Sequence, residues 1–179
     1  DPMCGSGTFV IEAAGISRNL MPGRNRKFNF QNLISYDEKL LSNLKKKWQN
    51  KPSAFSFMGF DRNHNVIEYS NQNSKRAGLD NICNFHTQNI EKLKRPDGPE
   101  GLVIVNPPYG ARIGKKKDLF SLYRTFGEKM RNEFFGWRVG MVTSDNGLAQ
   151  STNLPFVSSN LNVSNGGLNI QIYKTEALD

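Results

Sequence analysis

Four consecutive aliphatic residues, Leu102-Val103-Ile104-Val105, run straight into Asn106-Pro107-Pro108-Tyr109. A wholly apolar run this short, closed by two prolines, fits a strand buried on both faces and stopped abruptly at its carboxyl end. Such strands belong to sheets covered by helices, and the rest of the chain alternates to match. Apolar positions recur at helical spacing over residues 8–20 and stop at Pro22-Gly23. Residues 36–49 read as a second helix with Leu40, Leu41, Leu44 and Trp48 on one face. A strand is expected over 54–60, a helix over 65–77 closed by Gly78, a helix over 118–135 and a strand over 138–143. Asn165-Gly166-Gly167 separates 160–163 from 168–173, which signals a terminal hairpin. The fold class is therefore α/β, a single domain over residues 1–179 with helices on both faces of its sheet.

The 179 residues suffice for a real core, and no apolar run approaches the ~20 residues of a membrane span. Lys and Arg number 24 against 16 acids, a net charge of +8 that suits a phosphate-rich partner. Two cysteines, Cys4 and Cys83, cannot build a disulfide framework, and a reducing, cytoplasmic compartment is the natural reading. The chain opens on a glycine-rich turn, which normally follows a strand. That strand is largely missing here, so the chain reads as a fragment of something longer.

The turn is Asp1-Pro2-Met3-Cys4-Gly5-Ser6-Gly7-Thr8. Glycines permit positive φ and close backbone approach, and the exposed N–H groups of a helix start favour an anionic or carboxylate group. Val10 stands where the dinucleotide fingerprint requires its third glycine, and no Gly-Lys-Ser/Thr follows to make a P-loop. A tight turn with no ligand would look much the same. Asp61, at the end of the next expected strand, shifts the balance, because an acidic residue there hydrogen-bonds ribose hydroxyls in doubly wound folds.

Asn106-Pro107-Pro108-Tyr109 is the most specific feature. The prolines hold the Asn carboxamide and the neighbouring carbonyl with little freedom, and both accept hydrogen bonds. Two acceptors suit a planar amino group, whose lone pair becomes available once its N–H bonds are held in a tetrahedral arrangement. Tyr109 offers a face on which an unpaired base can stack. The bland alternative is a rigid turn that ends a strand.

These residues together resemble the S-adenosylmethionine-dependent amino methyltransferases. More narrowly, residues 1–14, Gly59-Phe60-Asp61, residues 106–112 and Thr143-Ser144-Asp145 resemble the catalytic domain of the THUMP-associated 23S ribosomal RNA guanine-N2 methyltransferases, often labelled N6-adenine-specific DNA methylases. The resemblance implies a Rossmann-like class I methyltransferase fold and S-adenosylmethionine as cofactor. It implies that Asp1, Cys4, Gly5, Gly7 and Thr8 form the cofactor turn, and that Asp61 holds the ribose. Asn89 would contact the adenine amino group, where the family usually has Asp. Asn106 would border the cofactor as well as the base, with Pro107, Pro108 and Tyr109 completing the catalytic motif. The family's N-terminal THUMP-containing region has no counterpart in these residues.

Ribosomal RNA is thus the expected partner. Arg112, Lys115, Lys116 and Lys117 follow the substrate motif closely enough to meet its phosphates. The other basic runs, at 24–27, 45–47 and 92–95, each read as an ordinary solvated face. His64, His86 and the two cysteines lack the paired spacing of a zinc site, so no metal is expected. Cys4 lies in the cofactor turn and not at the substrate motif, which argues against a cysteine nucleophile. Two rivals remain at this point: adenine N6 in DNA, also an exocyclic amine, and a non-catalytic module that binds nucleotide or RNA.

Overall fold

The computed structural model describes residues 1–109, 116–157, 162–165 and 168–179. Helix α1 spans Thr8–Ser17 and starts at Gly7, which holds φ at 83°. It stops earlier than the apolar spacing suggested because Asn19 takes a left-handed conformation, φ 53°. Helix α2 (Glu38–Lys45) is capped by Asp37, whose carboxylate accepts from the N–H groups of Lys39 and Leu40. Strand β1 (Phe57–Asp61) begins three residues later than expected. Helix α3 (His64–Ala77) is capped by Asn63 and closed by Gly78 at φ 67°, as expected.

Strand β2 (Cys83–Thr87) was not anticipated. Only Cys83 and Phe85 face inward on it, and polar residues alternate between them, so it lacks the apolar density of a buried strand. Strand β3 (Leu102–Val105) leads to helix α4 (Lys116–Glu133), strand β4 (Arg138–Thr143) and the six-residue helix α5 (Asn146–Ser151). Helix α5 is too short to show a period, and Asp145 starts it by accepting from Leu148 N–H at 3.0 Å. Strands β5 (Phe156–Val157), β6 (Asn162–Asn165) and β7 (Leu168–Thr175) complete the chain.

Strands β1 and β2 pair in parallel, as do β3 and β4. Strand β7 then runs antiparallel to β4, β5 and β6, and the β6–β7 pairing is the expected terminal hairpin. The hydrogen-bonded order is β1-β2 in one part and β3-β4-β7-β5 in the other. No described strand joins the two parts. Residues at the start of the chain instead run along β1: Phe60 N–H donates to Asp1 C=O at 2.7 Å and Cys4 N–H to Phe60 C=O at 2.9 Å.

Two hydrophobic clusters hold this arrangement. One packs Val10 and Ala14 of α1 and Ile67 of α3 against Cys83 and Phe85 of β2. The other packs Tyr123, Phe126 and Met130 of α4 against Val103, Val105, Val139 and Met141. Gly59 is buried with the first cluster's side of β1, whereas its neighbour Phe60 packs against the second, so helices cover both faces. The expectation for β3 is only half met. Val103 and Val105 are buried, but Leu102 is 54% exposed and Ile104 is intermediate, because no described helix covers that face at the start of the strand. The apolar stripe of α2 is also uncovered: no residue of that helix is buried.

Candidate active site

The glycine turn is built by hydrogen bonds from three directions. Asp1 Oδ1 accepts from Met3 N–H at 3.0 Å, and Gly7 N–H donates to Cys4 C=O at 2.8 Å. From α3, the Ser70 hydroxyl donates to Gly5 C=O at 2.7 Å and Asn73 Nδ2 to Ser6 C=O at 2.8 Å. From the end of β1, Asp61 Oδ2 accepts from Gly5 N–H at 3.1 Å while Oδ1 accepts from Asn63 N–H at 2.9 Å. The turn's carbonyls are thus drawn back into the protein. Helix α1 has no side-chain cap, so its first-turn N–H groups are left for a ligand or water.

The two glycines do different work. Gly5 has φ 51°, and a Cβ built on it would meet nothing within 4 Å, so the space before the turn is open there. Gly7 has φ 83°, and a Cβ there would lie 2.9 Å from the Phe85 ring and 3.1 Å from Ser70 Cβ. Packing of α1 against β2 and α3 therefore demands that glycine. Gly7→Ala combines left-handed strain with this contact, and should cost about 1–3 kcal/mol, the range for overpacking. Denaturant melts of the two proteins would measure it. An unchanged midpoint would show that Phe85 gives way freely.

Cys4 is buried, and burial first of all pushes its thiol up to about 11. It is a neutral thiol near pH 7, not a nucleophile. Thr8 is exposed, with its hydroxyl 3.4 Å from that of Ser6. Gln88 N–H donates to Asp61 C=O at 2.8 Å, which sets Asn89 beside the end of β1. Asn89 is exposed and caps a short 3-10 turn, its Oδ1 accepting from Glu91 N–H at 3.4 Å.

The tetrapeptide follows the carboxyl end of β3, where parallel sheets bind ligands. Val105 and Pro107 are buried on either side of Asn106, which is itself exposed and has no side-chain hydrogen bond to any described residue. Pro108 is intermediate. Tyr109 is partly buried and packs against the second core cluster, as do Met3 of the glycine turn and Phe60 of β1. That shared core brings the turn and the tetrapeptide together. Of the proposed substrate residues, Lys117 is exposed in the first turn of α4, not in a loop before it. Lys116 starts the same helix, and Arg112 and Lys115 lie outside the described residues.

Tyr123, which the sequence reading missed, supports this end of the molecule together with Thr143 and Asp145, which carried part of the resemblance. Tyr123 of α4 donates to Thr143 Oγ1 at 3.2 Å, and burial raises its phenol to about 12, with Asp145, Tyr109 and Tyr173 adding smaller upward effects. Asp145 N–H in turn donates to Thr143 Oγ1 at 3.2 Å. Beside Asp145, a groove of about 650 Å³ runs between α5 and β7, lined by Asn146, Gln150, Phe156, Gln171 and Tyr173 among others. A trace of Ser70 was legible, since Ser70 and Ser74 interrupt the apolar face of α3 one turn apart. Among the described residues, no three His, Cys, Asp or Glu side chains gather as a metal site.

Parallel strands carrying a glycine turn and an acidic strand end, with an antiparallel hairpin closing the sheet, define a class I methyltransferase fold. Solved structures agree. SMU.472 complexed with SAH matches with a TM-score of 0.86 at 28% identity, over 100% of this chain and 48% of that one. A possible methylase from Clostridium difficile 630 matches with a TM-score of 0.86 at 29% identity over the same shares. The chain belongs to the UPF0020 family, the RMKL-like methyltransferase domain, whose model matches residues 1–173. Ribosomal RNA large subunit methyltransferase K/L of Vibrio cholerae serotype O1 is 36% identical over 156 residues, 83% of this chain and 22% of the relative. The protein of that name from Marinomonas sp. is 36% identical over 183 residues, 97% of this chain and 25% of its own length. The chain therefore spans about a quarter of these curated relatives and about half of the solved chains.

Proposed function

We propose that residues 1–179 form the catalytic domain of a cytoplasmic enzyme that methylates an exocyclic base amine of 23S ribosomal RNA, with guanine N2 as the target. The observation that carries this reading is Asn106: an exposed carboxamide with no side-chain hydrogen bond to a described residue, clamped between buried Val105 and Pro107. The names of the curated relatives support ribosomal RNA, and the SAH bound by a solved relative supports the cofactor.

S-adenosylmethionine, when bound, supplies an electrophilic methyl group on a sulfonium. The residues present fit it. The open space at Gly5 admits the cofactor's methionine part, and the uncapped start of α1 favours its carboxylate. Asp61 keeps lone pairs for ribose hydroxyls while its present bonds hold it still. Asn89 retains two amide donors and one further lone pair toward the adenine.

Asn106 Oδ1 and the Pro107 carbonyl accept the two N–H bonds of the target amine, and Tyr109 stacks on the extruded base. The amine proton leaves to solvent after transfer, so no strong base is required. Lys117 stands in the first turn of α4, where the helix dipole is already positive, and the two together favour a phosphate.

Asp61→Ala should weaken cofactor binding by about 1–3 kcal/mol, the range for losing hydrogen bonds to a charged group. Calorimetry measures it, and unchanged affinity would remove the ribose assignment. The substrate is tested by labelled-methyl transfer from the intact protein to unmodified ribosomal RNA and to DNA. Label at guanine N2 is expected. Label at adenine N6 of DNA would overturn the substrate, and no transfer with intact cofactor binding would leave a binding module.

A further inference from the structure

The positive charge of this chain is concentrated in one place. Residues 18–51 carry nine Lys and Arg against two acids, whereas the other 145 residues carry 15 against 14. Nearly the whole surplus sits on the excursion between α1 and β1. Its two ends are tied together: Lys51 N–H donates to Arg18 C=O at 3.1 Å, Asn19 Nδ2 to Gln49 C=O at 3.1 Å, and Ser17 Oγ to Ser53 Oγ at 2.9 Å. Between the ties lie α2 and an aromatic row, Phe28 stacked on Phe30 at 5.4 Å and Phe30 against Tyr36 at 6.1 Å.

This excursion is ordered but has no core. No residue from 16 through 58 is buried. None of its nine cations makes an ion pair with a described residue. Ile34, Leu40, Trp48 and Phe55 stand exposed among them. Arg26 stacks on Phe28 at 4.5 Å, but Phe30, Trp48 and Phe55 stay exposed beside cations that lack an acidic partner, which gives the two features that RNA rewards, phosphate neutralisation and base stacking. A lipid surface shares the attraction for cations, and the vesicle measurement below tells the two apart. A protein interface fits less well, since lysines are depleted from interface cores.

The position adds a constraint. Helix α1 runs from the glycine turn to Ser17, ten residues or about 15 Å, so the excursion leaves from the far end of that helix. Asn25 Nδ2 donates to Arg76 C=O at 3.1 Å, which sets the exposed Lys75 and Arg76 of α3 beside the same surface.

We propose that residues 18–51 form a second RNA-contacting surface, which grips the phosphate backbone of a structured RNA remote from the nucleotide offered to Asn106. This rests on the RNA reading above. The test replaces Arg24, Arg26, Lys27, Lys45, Lys46 and Lys47 with Gln in the intact protein, and a Trp48→Ala variant accompanies it. Binding to a long ribosomal RNA fragment is measured across a salt series, beside a short oligonucleotide that fills only the active site.

The six-fold variant should bind the long fragment at least tenfold more weakly at low salt. The slope of log K against log salt should shrink by up to about 0.7–0.9 per lost phosphate contact. Trp48→Ala should weaken the long fragment alone. Short-oligonucleotide binding and the single-turnover rate at saturating RNA should stay at wild-type values, which also shows that the variants are folded. An unchanged slope on the long fragment, with wild-type protein binding it normally, would overturn this surface and leave the proposed function standing. Loss of binding to phosphatidylglycerol-rich vesicles with no change on RNA would overturn it in favour of a membrane. Wild-type protein that binds no ribosomal RNA would overturn both readings.

Discussion

Asn106→Ala is expected to lower the single-turnover rate of methyl transfer by 10²–10³, on the order of 3–4 kcal/mol, the scale for losing one positioned polar group at a developing charge. The fold should be untouched. The side chain is exposed and bonds to no described residue, so truncation leaves no cavity and strands no buried partner. Its hydrogen bond strengthens only as the amine becomes tetrahedral, so the loss falls on the rate and not on base capture. Tyr109 provides the contrast: Tyr109→Ala should cost about 1–3 kcal/mol of base binding, and Tyr109→Phe should be nearly neutral, because the ring does the stacking. Rapid-quench measurements with saturating RNA and cofactor separate the two effects. Wild-type rates for Asn106→Ala would reduce the tetrapeptide to a rigid turn.

Gly127→Ala is expected to destabilise the protein despite improving an α-helix. Alanine inside a helix ordinarily gains about 1 kcal/mol over glycine. Here a Cβ on Gly127 of α4 would fall 1.8 Å from the carbonyl oxygen of Thr152 and 2.6 Å from its carbon. Those are backbone atoms at the end of α5, and they are fixed from several sides. Thr152 Oγ1 donates to Ala149 C=O at 2.7 Å and accepts from Leu154 N–H at 3.2 Å, while the Arg131 guanidinium donates to the same carbonyl that the Cβ would meet. No rotamer change relieves the contact, so α5 must move away from α4.

Overpacking typically costs 1–3 kcal/mol, and a backbone clash belongs at or above the upper end. At about 2–4 °C per kcal/mol for a chain of this size, Tm should fall by roughly 6–12 °C. An unchanged Tm would mean that the α4–α5 contact is looser than its geometry.

Much of the fold was legible because its signals are local. Gly78 ends its helix through its own backbone chemistry, and Asn165-Gly166-Gly167 announces its hairpin within a few residues. The two motifs of the site were legible for the same reason: a glycine turn and a proline-locked asparagine carry their geometry with them. Elements without such signals escaped. Strand β2 alternates polar with apolar residues over five positions, and α5 is shorter than two turns.

What tertiary structure alone decided is how those motifs are held and what lies around them. The sequence by itself placed Gly5, Gly7, Asp61 and Asn106 at strand ends and turns, because φ preference, proline geometry and strand periodicity act between near neighbours. It did not separate the two glycines. Only the packing of α1 against Phe85 shows that Gly7 serves the core, while Gly5 faces open space. Nor did it show that Ser70 and Asn73, more than sixty residues away, draw back the turn's carbonyls. It suggested a covered stripe on α2 and a β3 buried on both faces, and the fold left Leu40, Leu44 and Leu102 exposed. Amphipathic spacing says which face of an element is apolar; what lies against that face depends on residues distant in sequence, and here nothing among the described residues covers it.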